Sequence, residues 1–165
     1  MPPNRAERER IVEIAIAQID RGVTQVRASG GEVEPLARYL RPQELWCSDF
    51  VSWVYQSAGR PFTGGYQGGW MLTNNRSIRR WFERRDRWIR NGGPRWQTYA
   101  PEPGDYLRFH TTGGGHSGIV HHVEGPVLFT VEGNVGQRVR YRRYPDFRRY
   151  ARIDGFGSLS AGPER

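Results

Sequence analysis

The sequence predicts an α+β fold, with helices in the first half and an antiparallel sheet in the second. Two observations carry that reading. Apolar residues recur at helical spacing in the first 88 or so positions, and from Pro101 onward short runs of strand formers alternate with glycine-centred turns.

The elements follow in order. Ile11, Ile14, Ile16, Ile19 and Val23, with Glu and Arg between them, predict an amphipathic helix over residues 7–27, ended by Ser29-Gly30-Gly31. A loop with Pro35 and Pro42 follows. Residues 45–58 predict a second, largely buried helix around Phe50, Val51, Trp53, Val54 and Tyr55, stopped at Gly59-Arg60-Pro61. After a Gly-rich loop over residues 63–70, Asn75 or Ser77 caps a third helix over 78–85, with Trp81, Phe82 and Trp88 as its apolar side. Asn91-Gly92-Gly93-Pro94 is a turn. Strands are expected over 106–110, 117–123, 127–132, 138–142 and 156–159.

The 165 residues suit one domain, spanning 1–165 with a core at about 8–160 and frayed ends. The 13% aromatic share argues against a disordered polymer. One cysteine excludes an intramolecular disulfide and a cysteine-rich zinc site. No apolar stretch approaches the roughly 18 residues of a membrane span. The charged first ten residues do not read as a secretory signal, so the protein is expected to be made in the cytoplasm and to act there or after delivery by another system.

Net charge is +8, and all 25 basic residues are arginine. GC-rich coding explains that as well as an anionic partner does. The arginines cluster at 79–90 and at 138–152, but no nucleic-acid motif accompanies them, so no specific nucleic acid is expected as partner.

A lone cysteine is more often a small buried hydrophobe than a nucleophile. Cys47 sits at a predicted helix start, where free amides and the helix dipole favour a thiolate and suit a developing oxyanion. A base is needed within hydrogen-bond reach, and a third group must orient it. Of the four histidines, His121 and His122 fall side by side in a strand and so face opposite sides of the sheet. His110 ends a strand, and no spacing among the four suggests a metal site. His116 opens a strand after three glycines, which leave its ring accessible. The next strand offers two orienters, Glu132 and Asn134, two residues apart and hence on one face if the strand runs that far. Glu132 ranks first, because a carboxylate beside an apolar run needs a partner. Trp46, Tyr66 and Trp70 are candidates for a peptide groove, with core packing as the competing reading. Asp49 reads as structural, and Asp105 as the cap of its turn.

These blocks together resemble the CHAP family (cysteine, histidine-dependent amidohydrolases/peptidases) of the papain-like superfamily. They are Trp46-Cys47-Ser48-Asp49-Phe50-Val51, Pro103-Gly104-Asp105, Gly115-His116-Ser117-Gly118-Ile119-Val120, Val131-Glu132-Gly133-Asn134 and Gly155-Phe156-Gly157. The resemblance implies a papain-like fold with N-terminal helices packed on an antiparallel sheet, and no cofactor. It implies hydrolysis of peptidoglycan amide bonds, either between muramic sugar and stem peptide or within the peptide. Cys47 matches the nucleophile, His116 the base, Glu132 the acidic orienter and Asn134 a supporting residue. A phage lysis enzyme or an antibacterial effector is the expected setting, with the Arg clusters held on anionic wall polymers. The rivals are a non-catalytic CHAP-like binding module with a basic surface, and an amidase or acyltransferase acting on a small amide conjugate.

Overall fold

The computed structural model describes residues 1–22, 45–110 and 114–160. Among the described residues, three α-helices, α1 (Arg5–Asp20), α2 (Cys47–Ser57) and α3 (Asn75–Glu83), precede or flank six strands. These are β1 (Trp88–Arg90), β2 (Tyr106–Phe109), β3 (His116–Glu124), β4 (Val127–Val135), β5 (Arg138–Tyr144) and β6 (Ile153–Gly157). They form one sheet in the order β1-β6-β2-β3-β4-β5, antiparallel at every pairing. The α+β expectation holds. Among the described residues, no helix is long and apolar enough to cross a membrane.

Period-two alternation explains why β2 is buried on both faces. Tyr106, Ile119 and Val131 join the core beneath the helices, with Trp46, Phe50, Val54 and Phe82. Leu107, Val120 and Leu128 join a second core on the opposite face, with Trp96, Phe147 and Phe156.

Several boundaries differ from expectation. α1 begins two residues early because Asn4 and Glu7 form a reciprocal capping box. It ends at Asp20, and the expected continuation over 23–27, the break at 29–31 and the loop with Pro35 and Pro42 lie outside the described residues. α2 starts at Cys47 itself. Neither Asn75 nor Ser77 caps α3: Asn74 does, its side chain accepting from the amides of Arg76 and Ser77. Trp88 packs in the same core as Ile78 and Phe82 of α3, as expected, but it does so from β1, whose short pairing with β6 no alternation announces. The last strand lies at Ile153–Gly157, beginning three residues and ending two residues earlier than expected.

The Pro103-Gly104-Asp105 turn ties the elements together. Gly104 has φ +88°, which favours glycine. Its carbonyl accepts from the Tyr55 hydroxyl of α2 at 2.7 Å. Asp105 is fully buried. One carboxylate oxygen accepts from Arg8 of α1 (3.0 Å) and the Leu159 amide (3.1 Å). The other accepts from the Tyr99 hydroxyl (2.5 Å) and the Glu102 amide (2.8 Å). Asp105 therefore caps its turn, as expected, and also docks α1 onto the sheet.

Breaking a buried ion pair from one side leaves a desolvated charge. Asp105→Ala is expected to lower unfolding free energy by about 3–5 kcal/mol in urea denaturation. A loss of under about 1 kcal/mol, the range of exposed ion pairs, contradicts this role for the turn.

Candidate active site

Cys47 is the first residue of α2 and is 7% exposed. Its N-cap, Trp46, makes no side-chain capping bond, so the first amides of the helix are not taken up by that residue. The thiol lies beside His116, close enough for the two groups to shift each other's titration. Burial pushes its pKa up. The bond and charge of His116, the Ser117 backbone and the Ser48 side chain outweigh that and bring the thiol below its ordinary value.

His116 stands at the first position of β3. Gly115 precedes it at φ +94°, and a Cβ there would lie 2.4 Å from the Asn75 side-chain oxygen. That contact is tight because Asn75 is itself fixed. Its Nδ2 donates to the Gly114 carbonyl (2.6 Å), and its Oδ1 accepts from Arg108 Nε (2.6 Å). Arg108 is paired in turn with buried Asp154, which also holds Arg79 and His110. A chain of buried groups thus runs from α3 across the sheet to the backbone that carries His116.

Glu132 holds the far side of the ring. Its Oε1 accepts from His116 Nε2 at 2.8 Å. Its Oε2 accepts from the Thr130 hydroxyl (2.5 Å) and the Tyr144 hydroxyl (2.6 Å). The carboxylate is 1% exposed, so charge-assisted bonds replace its water. With Nε2 engaged, Nδ1 is the nitrogen left for the thiol. Burial lowers the His116 pKa, but bonds to Cys47 and Glu132 and their charges raise it to about 9.

Register explains how Glu132 reaches the ring. Ile119 faces Val131. Extended one residue, that register sets Gly118 beside Glu132, and a Cβ on Gly118 would fall 2.8 Å from Glu132 Cγ. The missing side chain clears the path along which Glu132 leans toward His116. Asn134 adopts φ +60° at a register shift in the β4–β5 pairing. It lines the same hollow as His116 and Glu132.

The structure therefore brings Cys47, His116, Glu132 and Asn134 to one place. The aromatic candidates behave differently. Trp46 is not a groove residue: it is fully buried in the helix-side core, pressed against the backbone of Gly133. Tyr66 is exposed on a 3-10 turn (Tyr66–Gly68), and Trp70 is half-buried against the core. Neither borders the hollows beside the thiol and the imidazole, as lined by the described residues. His121 and His122 do not face opposite sides. A register shift between Val120 and His122 turns both the same way, with their Nδ1 atoms 2.6 Å apart.

Sequence reasoning missed Thr130, Tyr144, Asn75, Asp154 and the chain Ser48–Ser117–Tyr106. Ser48 and Ser117 hydroxyls lie 3.0 Å apart, and Ser117 and Tyr106 hydroxyls 2.7 Å apart. Thr130, two residues before Glu132 in an apolar run, carried a readable signal. Tyr144 lay beyond the expected end of its strand.

A thiol and an imidazole meeting at the seam between a helix start and a strand end, with a carboxylate behind the ring, define a class of α+β domain. Within that class the chain belongs to the CHAP domain family, whose model matches residues 39–134. Two solved structures share the fold. The crystal structure of Ly7917 is 17% identical with a TM-score of 0.53, covering 92% of this chain and 62% of that one. The crystal structure of Ly7917 with the hydrolyzing product of MDP is 16% identical with a TM-score of 0.52, covering 90% and 61%. The chain thus spans about three fifths of the length of these neighbours. No curated protein matches it.

Because His116 titrates near 9 when folded and near 6.5 when unperturbed, the stability it contributes is present below pH 6.5 and is lost as pH rises through 9. Glu132→Gln removes one source of that elevation. The His116 midpoint in an NMR titration is expected to fall well below 9, and an unchanged midpoint contradicts the assigned pairing.

Proposed function

We propose that the chain is a cysteine amidohydrolase or peptidase that cleaves amide bonds of peptidoglycan. The observation that carries this reading is the Cys47–His116 contact with His116 Nε2 held 2.8 Å from a buried carboxylate. Membership in the CHAP family supports it, as does a structural neighbour solved with the hydrolyzing product of MDP. The bond cut is the one between muramic acid and L-alanine (an N-acetylmuramoyl-L-alanine amidase) or one within the stem peptide (an endopeptidase).

In the mechanism, the Cys47 thiolate attacks the amide carbonyl carbon and the C=O electrons move onto oxygen. The Cys47 amide and a neighbouring donor at the start of α2 bind that oxyanion. The intermediate collapses, the C–N bond breaks, and protonated His116 gives its proton to the departing nitrogen. Neutral His116 then takes a proton from water as the water attacks the thioester. The thiolate leaves and the acid is released. Glu132 fixes which ring nitrogen faces the thiol and stabilises the imidazolium. Asn134 supports the ring from the same hollow.

The biological setting we infer is a phage lysis enzyme or a delivered antibacterial effector that meets the wall after release from the cell that made it. A separate hollow of about 580 Å³, away from the thiol and the imidazole, suits retention on anionic wall polymers, since Thr63, Ser77, Arg80, Trp81, Arg84 and Arg85 line it. Arg85 is fixed there, 3.7 Å over the Trp81 ring and bonded to Thr63. Retention on purified walls is expected to weaken steeply between low and physiological salt in a pull-down assay. Retention independent of salt would count against the arginine contact.

Cys47→Ala is expected to reduce fragment release from purified peptidoglycan by about 10⁴-fold or more at unchanged thermal stability. Equal release by the wild type and the variant would sink the reading. The active pair is thiolate and imidazolium, so kcat/KM is expected to fall on the alkaline side near pH 9, the His116 value, with a coupled acid limb below the ordinary thiol range. A rate still rising above pH 10 would contradict the pairing.

A further inference from the structure

The two hollows flanking the candidate dyad differ in what they offer a substrate. The one beside the thiol, about 360 Å³, is bordered by Cys47, Ser48, Thr73, Asn74, Asn75 and the Gly114–Gly115 backbone, with a single guanidinium, Arg76. The one beside the imidazole, about 240 Å³, carries two guanidiniums, Arg142 and Arg152, around His116 and Asn134. Its one carboxylate, Glu132, is fully committed to His116, Thr130 and Tyr144 and is 1% exposed. Among the described residues, neither Arg142 nor Arg152 is ion-paired with a carboxylate. Arg142 instead lies over the Tyr144 ring, 6.0 Å from its centroid, and that ring is anchored through its hydroxyl to Glu132.

The chemistry assigns a direction to these hollows. The acyl half of a cleaved amide stays on Cys47, near the helix amides. The nitrogen half must lie within reach of His116, which protonates it. The fragment that departs as an amine therefore extends past the imidazole into the arginine-lined hollow. Guanidinium forks bind carboxylates in preference to neutral amides.

Building on the proposed hydrolase reading, we infer that the hollow lined by Arg142 and Arg152 is a carboxylate-recognition subsite for the leaving-amine half of the substrate. The preferred substrate is then an amide whose amine side is an acidic peptide with a free carboxylate close to the scissile nitrogen. A substrate with that carboxylate amidated is disfavoured.

Two synthetic amides that differ only in a carboxylate or carboxamide on the amine-side residue test this. Wild type is expected to cut the acid with kcat/KM about tenfold or more above the amide, the factor of one good charge-assisted contact. The Arg142→Gln/Arg152→Gln variant is expected to lose the preference through a raised KM for the acid. Equal kcat/KM for the two substrates with wild type overturns the subsite. A binding arm separates this inference from the hydrolase reading. Cys47→Ala protein is titrated by calorimetry with the amine-side dipeptide, as free acid and as amide. Selective binding of the acid, lost in the arginine variant, supports the subsite even where neither amide is cut, in which case only the hydrolase reading fails. Equal binding of both dipeptides overturns the subsite whatever the kinetics show.

Discussion

Glu132 is a carboxylate taken out of water, and the geometry of the site depends on how that charge is compensated. Three donors meet it, from His116, Thr130 and Tyr144, on strands β3, β4 and β5 respectively. An ionised group at 1% exposure with no partner would be prohibitive, so the sheet register, the glycine at 118 and the orientation of His116 are constrained together. The imidazole is thereby fixed with its other nitrogen available to the thiol. The same charge favours the imidazolium, which in turn favours the thiolate of Cys47.

The pair forms only if a helix start and a strand end from distant parts of the chain are brought together. The Pro103-Gly104-Asp105 turn does this from below: Asp105 receives Arg8 of α1, and the Gly104 carbonyl receives Tyr55 of α2. Asn75 does it from the side, bonding the Gly114 carbonyl just ahead of His116. The close approach of Gly133 to Phe50 and Trp46 lets β4 pack against α2. Much of the site's precision therefore comes from buried polar groups outside it, each satisfied by partners on other elements.

What was legible in the sequence was local. Periodicity disclosed the helices and most strands, and a cysteine at a helix start, a histidine after glycines and a carboxylate ending an apolar run singled out Cys47, His116 and Glu132 as candidates, which the structure places side by side. What was not legible depended on register and burial. The bulge that turns His121 and His122 to one side, and the shift that gives Asn134 a left-handed backbone, insert residues that no alternation records. For Trp46 the competing reading of core packing is the one the structure shows, since the indole is fully buried. Asp154 and Tyr144 act through partners far away in sequence, so nothing near them signals their role.

The central claim is that His116 lowers the pKa of the Cys47 thiol. Its most direct test is the pH dependence of Cys47 alkylation by iodoacetamide, in wild type and in His116→Ala. The protein has a single cysteine, so the rate reports one thiol. The account predicts a wild-type midpoint below the ordinary thiol value of 9.0, moving upward when His116 is removed. A wild-type midpoint at or above 9.0, or one indifferent to His116, would contradict it.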